Sequence, residues 1–252
     1  MKKFAMIMAL ALPLAFASCG DDNDDKTLTL DQTKVTLDYE KTADLKASEK
    51  GGTWASSNEF VASVDKNGKV TAKHEGNATI TYSKDGMSAS CTVAVNATNN
   101  NFTTILTWGA TPAQVKANIP SELVLLVENT TNLLYTLPNN QYPWYGFIFK
   151  DGGLAGSSVY FTDAQSDPES EGGYGLQEYL DQRYKKMENP IVEGTSLYVN
   201  ANSISEATES ATLEVTDDGY MITYQPVSHT KAVAIDVTVL QDAKALYKAA
   251  KK

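Results

Sequence analysis

Cysteine and histidine are scarce in this chain of 252 residues, with two of each, and several motifs that announce chemistry are missing altogether. No zinc-ligand spacing, phosphate-binding loop or dinucleotide-binding fingerprint is present, so the sequence implies no cofactor and no metal. Long apolar runs are absent beyond residues 4–17. A membrane-spanning helix needs roughly 20 apolar residues, so a transmembrane anchor is excluded. A basic excess is missing as well. Lys and Arg total 21 against 31 Asp and Glu, for a formal charge of −10. A surface of that sign repels phosphate backbones, which argues against nucleic acid as a partner.

What is present begins with Met1-Lys2-Lys3, the apolar residues 4–17 and a small-residue end, the layout of a secretory signal over residues 1–18. Two cleavage readings stand. Ala15-Phe16-Ala17 fits ordinary signal peptidase, which would release a chain starting at Ser18. Phe16-Ala17-Ser18-Cys19 fits a lipobox, in which Cys19 is acylated and becomes the new terminus; Phe16 departs from the usual Leu. The acidic run Gly20-Asp21-Asp22-Asn23-Asp24-Asp25 directly after the cysteine favours the lipobox. It resembles the export signal of outer-membrane lipoproteins in Bacteroides-like bacteria. Residues 19–26 then form a linker, with the outer face of the outer membrane as the expected location and the periplasmic face as the alternative. A plain solvated linker is the simpler reading of the same acids, and no EF-hand spacing follows them. Loss of Lys2 and Lys3 with the signal would leave the mature chain near −12.

Residues 27–97 read as short alternating strands joined by turn residues. Trp54-Ala55-Ser56-Ser57, residues 61–65, Asn67-Gly68-Lys69-Val70-Thr71-Ala72, residues 76–80 and Cys91-Thr92-Val93-Ala94-Val95 follow one another with regular spacing. In that order they resemble the group 2 bacterial immunoglobulin-like domain. The resemblance implies an all-β sandwich serving as a spacer or adhesin module. Trp54 is expected to be a buried aromatic between the sheets, Asn67-Gly68 a tight hairpin, and Cys91 an apolar cysteine on the inner face of a strand.

Residues 98–252 change character after the polar junction 97–101. The expected order is a strand over 102–108 and a helix from Thr111-Pro112. Strands then follow at 133–137, 146–149 and 154–161. A second series comprises a helix over 176–184, strands at 196–201, 211–216, 220–225 and 233–239, and a helix over 241–252. This is an α+β domain of helix-then-antiparallel-sheet units. The element order and the Trp108-Gly109-x-Thr111 opening resemble β-lactamase-inhibitor-like and small envelope domains.

His74 and His229 are expected in exposed turns, and neither lies in a nucleophile or metalloprotease context. A carboxylate pair of glycosidase type stays open in principle, because acids are abundant. The sharper candidate is aromatic: Tyr142, Trp144 and Tyr145, with Tyr174 in the acidic loop, beside Asn139, Asn140 and Gln141. Exposed rings stack on the apolar faces of sugars, whereas buried rings would simply be core. The expected function is therefore non-catalytic: a surface lipoprotein held to the membrane by its N-terminal lipid, the first domain a spacer and the second binding glycan. Binding of another envelope or surface protein, as inhibitor or assembly factor, is the alternative.

Overall fold

The structure is a computed structural model that describes residues 27–162, 175–188, 191–229 and 235–251. The signal, Cys19, the acidic linker 19–26 and the acidic loop with Tyr174 lie outside the described residues.

The first domain is a two-sheet sandwich. Its strands are β1 (Lys34–Asp38), β2 (Thr42–Asp44), β3 (Thr53–Ser56), β4 (Ala62–Val64), β5 (Lys69–Ala72), β6 (Gly76–Lys84) and β7 (Met87–Asn96). One sheet has the order β1-β7-β6-β3 and the other β2-β5-β4. β1 runs parallel to β7, from Lys34 opposite Thr92 to Asp38 opposite Asn96. Alternation puts Ile80, Cys91 and Val93 inside with Leu45, Val61 and Val70, as expected for strands with one buried face. Gly68 turns the β4–β5 hairpin at φ 87°, where any Cβ would press on Leu45 and Trp54. Trp54 is only half-buried, a correction to the expectation. It sits on β3, at the edge of its sheet, where its ring packs 4.7 Å from that of Tyr82.

The second domain is built on one continuous eight-stranded sheet. A short helix α1 (Pro112–Lys116) precedes β8 (Val124–Glu128), β9 (Asn132–Leu137), β10 (Gln141–Lys150) and β11 (Gly153–Phe161). A second helix α2 (Leu176–Asp181) precedes β12 (Lys185–Lys186), β13 (Thr195–Val199), β14 (Glu209–Thr216) and β15 (Gly219–Pro226). Each set of four is an antiparallel meander, and β11 pairs with β15 to join them, giving the order β12-β13-β14-β15-β11-β10-β9-β8. The helix-then-sheet unit thus occurs twice. Thr111 starts α1 with a capping box to Gln114.

Three expectations need correction. Residues 102–108 form no strand; they cross the sheet face, with Phe102 fully buried and Thr104 hydrogen-bonded to Ser157 at 2.8 Å. Their apolar side chains cover a sheet whose strands are already paired. Residues 237–239 are helical, within α3 (Val237–Ala250). Asp236 caps it by accepting from the Thr238 amide at 2.9 Å, and Val239, Ala243, Leu246 and Tyr247 share its buried stripe. β8 was not expected at all, because Val124-Leu125-Leu126-Val127 has no period of two.

The sheet lies between two helical layers. α1, residues 102–110 and α2 cover the face bearing Tyr135, Phe147, Val159, Ile222 and Tyr224. α3 covers the face bearing Leu134, Trp144, Ile148, Tyr160 and Met221. Gly156 lets α3 approach, since a Cβ there would run into Val239.

Candidate functional site

Strand alternation separates the aromatic run. Trp144 and Tyr145 are neighbours on β10 and point to opposite faces. Trp144 is 3% exposed and packs under α3. Tyr142 stacks on it with ring centroids 4.8 Å apart, and the Tyr247 ring of α3 lies 5.9 Å from that of Trp144. The Tyr142 hydroxyl donates to Asp218 at 3.1 Å, and Tyr247 and Lys251 also bind that carboxylate. Burial, together with the neighbouring Tyr247 and Asp218, pushes the Tyr142 hydroxyl well above its ordinary pKa. Burial opposes the charge of Asp218, but the bonds from Tyr247, Lys251 and Tyr142 hold it below the usual carboxylate range. Tyr142 and Trp144 therefore fasten α3 to the sheet, and the buried Trp144 offers no open stacking platform.

Tyr145 belongs to a different environment. It is half-buried and lines a groove of about 300 Å³ on the face opposite α3. The groove is walled by Ile105 from the crossing segment, by Ile119, Pro120 and Leu123 from the loop after α1, and by Leu137 and Phe147 from the sheet. Thr103, Thr104, Asn118 and Glu122 add polar groups to its lining. The loop that forms one bank runs straight into β8, the last strand of the sheet. Val124, Leu125 and Leu126 on that strand are 50%, 41% and 38% exposed. Exposed large hydrophobics gathered on one edge mark a contact surface more often than isolated ones do.

The opposite end of the domain is closed by a polar junction. The buried Gln182 side chain accepts from the amides of Thr98 and Asn99, at 2.7 and 2.9 Å, and donates to Thr98 Oγ1 at 2.8 Å. Its main-chain carbonyl accepts from the Glu75 amide in the first domain. Arg183 pairs with Glu75 at 2.8 Å, donates to the Asn99 carbonyl and lies over the Tyr179 ring at 4.2 Å. The two domains thus meet through a network rather than a loose linker. A smaller cavity of about 230 Å³ beside it is lined by Glu75, Asn100, Arg183, Tyr184 and Glu209. Burial pushes the Glu209 carboxyl up, against the hydrogen bonds it receives from Tyr184 and Trp108. Glu209 is a half-buried, hydrogen-bonded acid.

Neither histidine forms a catalytic constellation. His74 is not in an exposed turn: it stacks on Phe60 at 3.8 Å, its Nδ1 lies 2.7 Å from the Phe60 carbonyl, and burial lowers its pKa. His229 is exposed, with Nε2 at 2.7 Å from the Ala207 carbonyl. Among the described residues no group of three His, Cys, Asp or Glu could hold a metal ion, and no helix is long and apolar enough to cross a membrane. Cys91 is fully buried, and burial raises its thiol pKa, the opposite of what a nucleophile needs.

Comparison with known proteins places the first domain. Residues 24–95 match the family described as bacterial Ig-like domain (group 2), a non-catalytic family. A protein of Clostridium acetobutylicum, named only as uncharacterized, is 45% identical over 92 residues. That stretch is 35% of this chain but 9% of the relative. Among solved structures, extracellular domains 3–5 of Drosophila OTK align over 78% of this chain and 57% of theirs, at 12% identity and a TM-score of 0.21. A likeness of that size carries no argument. The sandwich of β1–β7 is accordingly an immunoglobulin-like module, of a kind consistent with cell-surface or adhesion roles.

Proposed function

We propose that this chain is a non-catalytic lipoprotein of the outer membrane, held by lipid on Cys19 and displayed at the cell surface. Residues 27–97 act as a spacer, and residues 98–252 recognise another protein of the envelope or surface. One observation carries the choice of partner class. The open groove beside Tyr145 is mostly apolar and lies next to the exposed Val124, Leu125 and Leu126, which suits the apolar centre of a protein interface. A glycan surface would need a strip of accessible rings, and Trp144 is buried while Tyr145 faces the other way. Tyr145 keeps a second reading in place, because a half-buried ring beside Asn118 and Glu122 also suits a sugar.

The anchoring arm is tested by metabolic labelling with a fatty acid, which Cys19→Ser should abolish. Protease accessibility on intact cells then reports surface display. For the partner, a photoreactive residue at Glu122 in the full-length protein should yield a discrete protein adduct. Retention on a glycan array, lost in Tyr145→Ala, with no protein adduct, would replace this reading by the glycan one.

A further inference from the structure

The two edges of the eight-stranded sheet are built differently. At one end β12 is two residues long, Lys185-Lys186, and both are exposed. Short length and lysine are the usual means by which an edge is kept from pairing with foreign strands. At the other end β8 has five residues, Val124-Leu125-Leu126-Val127-Glu128, with four apolar side chains in a row. Among the described residues no strand lies beyond it. Its inner side pairs with β9, with one irregularity between Leu125 and Val127. The strand itself contains neither lysine nor proline, and Lys116 of α1 reaches only its last residue, Glu128.

We infer that β8 is an acceptor edge, to which an extended segment of the partner protein adds as a ninth strand; the inference rests on the protein-partner reading above. Such strand addition draws affinity from main-chain hydrogen bonds and selectivity from every second side chain. Leu125 lies opposite Tyr135, and Tyr135 opposite Tyr145. A guest strand would extend that row by one position, on the face that carries the groove. Charge defines the guest. Glu122 precedes β8, whereas Glu128 at its end is already paired with Lys116; on a chain of net charge −10, an apolar segment carrying Lys or Arg toward the Glu122 end is complementary. A second copy of this chain brings the same acidic surface. The contact would also be one strand wide and about 17 Å long for five residues, small beside the roughly 1,200–2,000 Å² of stable interfaces.

The probe is a set of nine-residue peptides alternating Val or Leu with Thr, ending in Lys or in Glu, titrated by fluorescence anisotropy into the full-length protein. Lys-ended peptides should bind at least about tenfold more tightly than Glu-ended ones, a gap that narrows with salt. Methylating alternate backbone amides of the guest should abolish binding in one phase of the alternation and spare it in the other. That signature belongs to main-chain pairing and leaves the protein unaltered. Leu125→Lys with Leu126→Lys, which copies the β12 edge onto β8, should weaken binding at least about tenfold with an unchanged circular dichroism spectrum. Three results overturn the inference: no peptide binding up to about 1 mM, methylation without phase, or a concentration-dependent dimer that the double lysine variant abolishes. A protein adduct at Glu122 that persists in that variant would overturn strand addition and leave the protein-partner reading standing. Glycan binding in place of adducts would remove that reading itself.

Discussion

The two halves of the second domain share one plan, a short helix followed by four antiparallel strands, yet they end in opposite ways. The half with α2 and β12–β15 closes against the first domain through Gln182 and Arg183 and finishes in the lysine edge of β12. The half with α1 and β8–β11 has an open groove and finishes in an apolar edge. One half is a mount and the other is left free. A duplicated architecture can divide labour in this way because its common core, where β11 meets β15, does not depend on what happens at either rim.

That division can be tested from its largest expected effect downward. Phe102 of the crossing segment is fully buried against the sheet, so Phe102→Ala should cost about 3–5 kcal/mol. Phe147→Ala should fall at the lower end of that range, because its cavity would open into the groove and fill with water. Denaturant titration of both variants checks the ordering; equal losses would mean that the groove side is packed as tightly as the mount. Gln182→Ala leaves the buried amides of Thr98 and Asn99 without their acceptor and should cost about 2 kcal/mol. It should also raise proteolysis between residues 97 and 101, which no change at β8 should do.

Acidity gives a subtler contrast. The folded Glu209 carboxyl lies above its ordinary 4.5 because of burial, so the folded state holds its proton longer. Its contribution is full below about pH 4.5 and is lost as pH rises through the raised value. Glu209→Gln should flatten that decline. Asp236 works in the other direction. Burial opposes its charge, but bonds from Lys150 and Thr238 hold it below 3.8. Its contribution is present above that value and disappears as pH falls. Because the pair with Lys150 is partly exposed, Asp236→Asn should cost only about 0.3–1 kcal/mol near neutral pH. The smallest expected effect is on the stability of the double lysine variant of β8, within about 0.5 kcal/mol. The reciprocal change, Lys185→Leu with Lys186→Leu, should raise self-association by light scattering if the lysines are what keep that edge solitary.

The first domain was readable because its strands alternate and its hairpin residues stand at the turns, with Asn67-Gly68 and the Cys91 strand marking register. In the second domain the paired strands from β9 to β15, apart from the two-residue β12, followed from the same alternation. β8 escaped notice because a strand whose sides are both largely exposed carries no period of two, and its apolar run resembles a short helix segment equally well. Residues 102–108 alternate and are β-branched, yet they cover a sheet instead of joining it. The α3 start was hidden because Ile235, Val237 and Val239 also alternate, and the Asp236 cap decides the matter only with tertiary contacts. For the site, the aromatic run lies on β10, but a strand sends adjacent side chains apart. Of its rings only Tyr145 lines the groove, whose other walls are Leu137 and Phe147 of the sheet and side chains from residues 103–105 and 118–123.

The parallel pairing of β1 with β7 bears on the anchoring and partner binding proposed above. On the proposed anchoring, tension from a lipid on Cys19 would pass the Leu30–Ala47 bridge and reach β1 at Lys34, while the pull from the second domain would reach β7 at Asn96. Lys34 and Asn96 lie at opposite ends of the paired strands. The load therefore runs along both strands and strains their five residue pairs together, instead of peeling them one after another. Forced unfolding is governed by the rate of rupture. In flow or during cell contact, the spacer would hold its length until that whole ladder gives way at once.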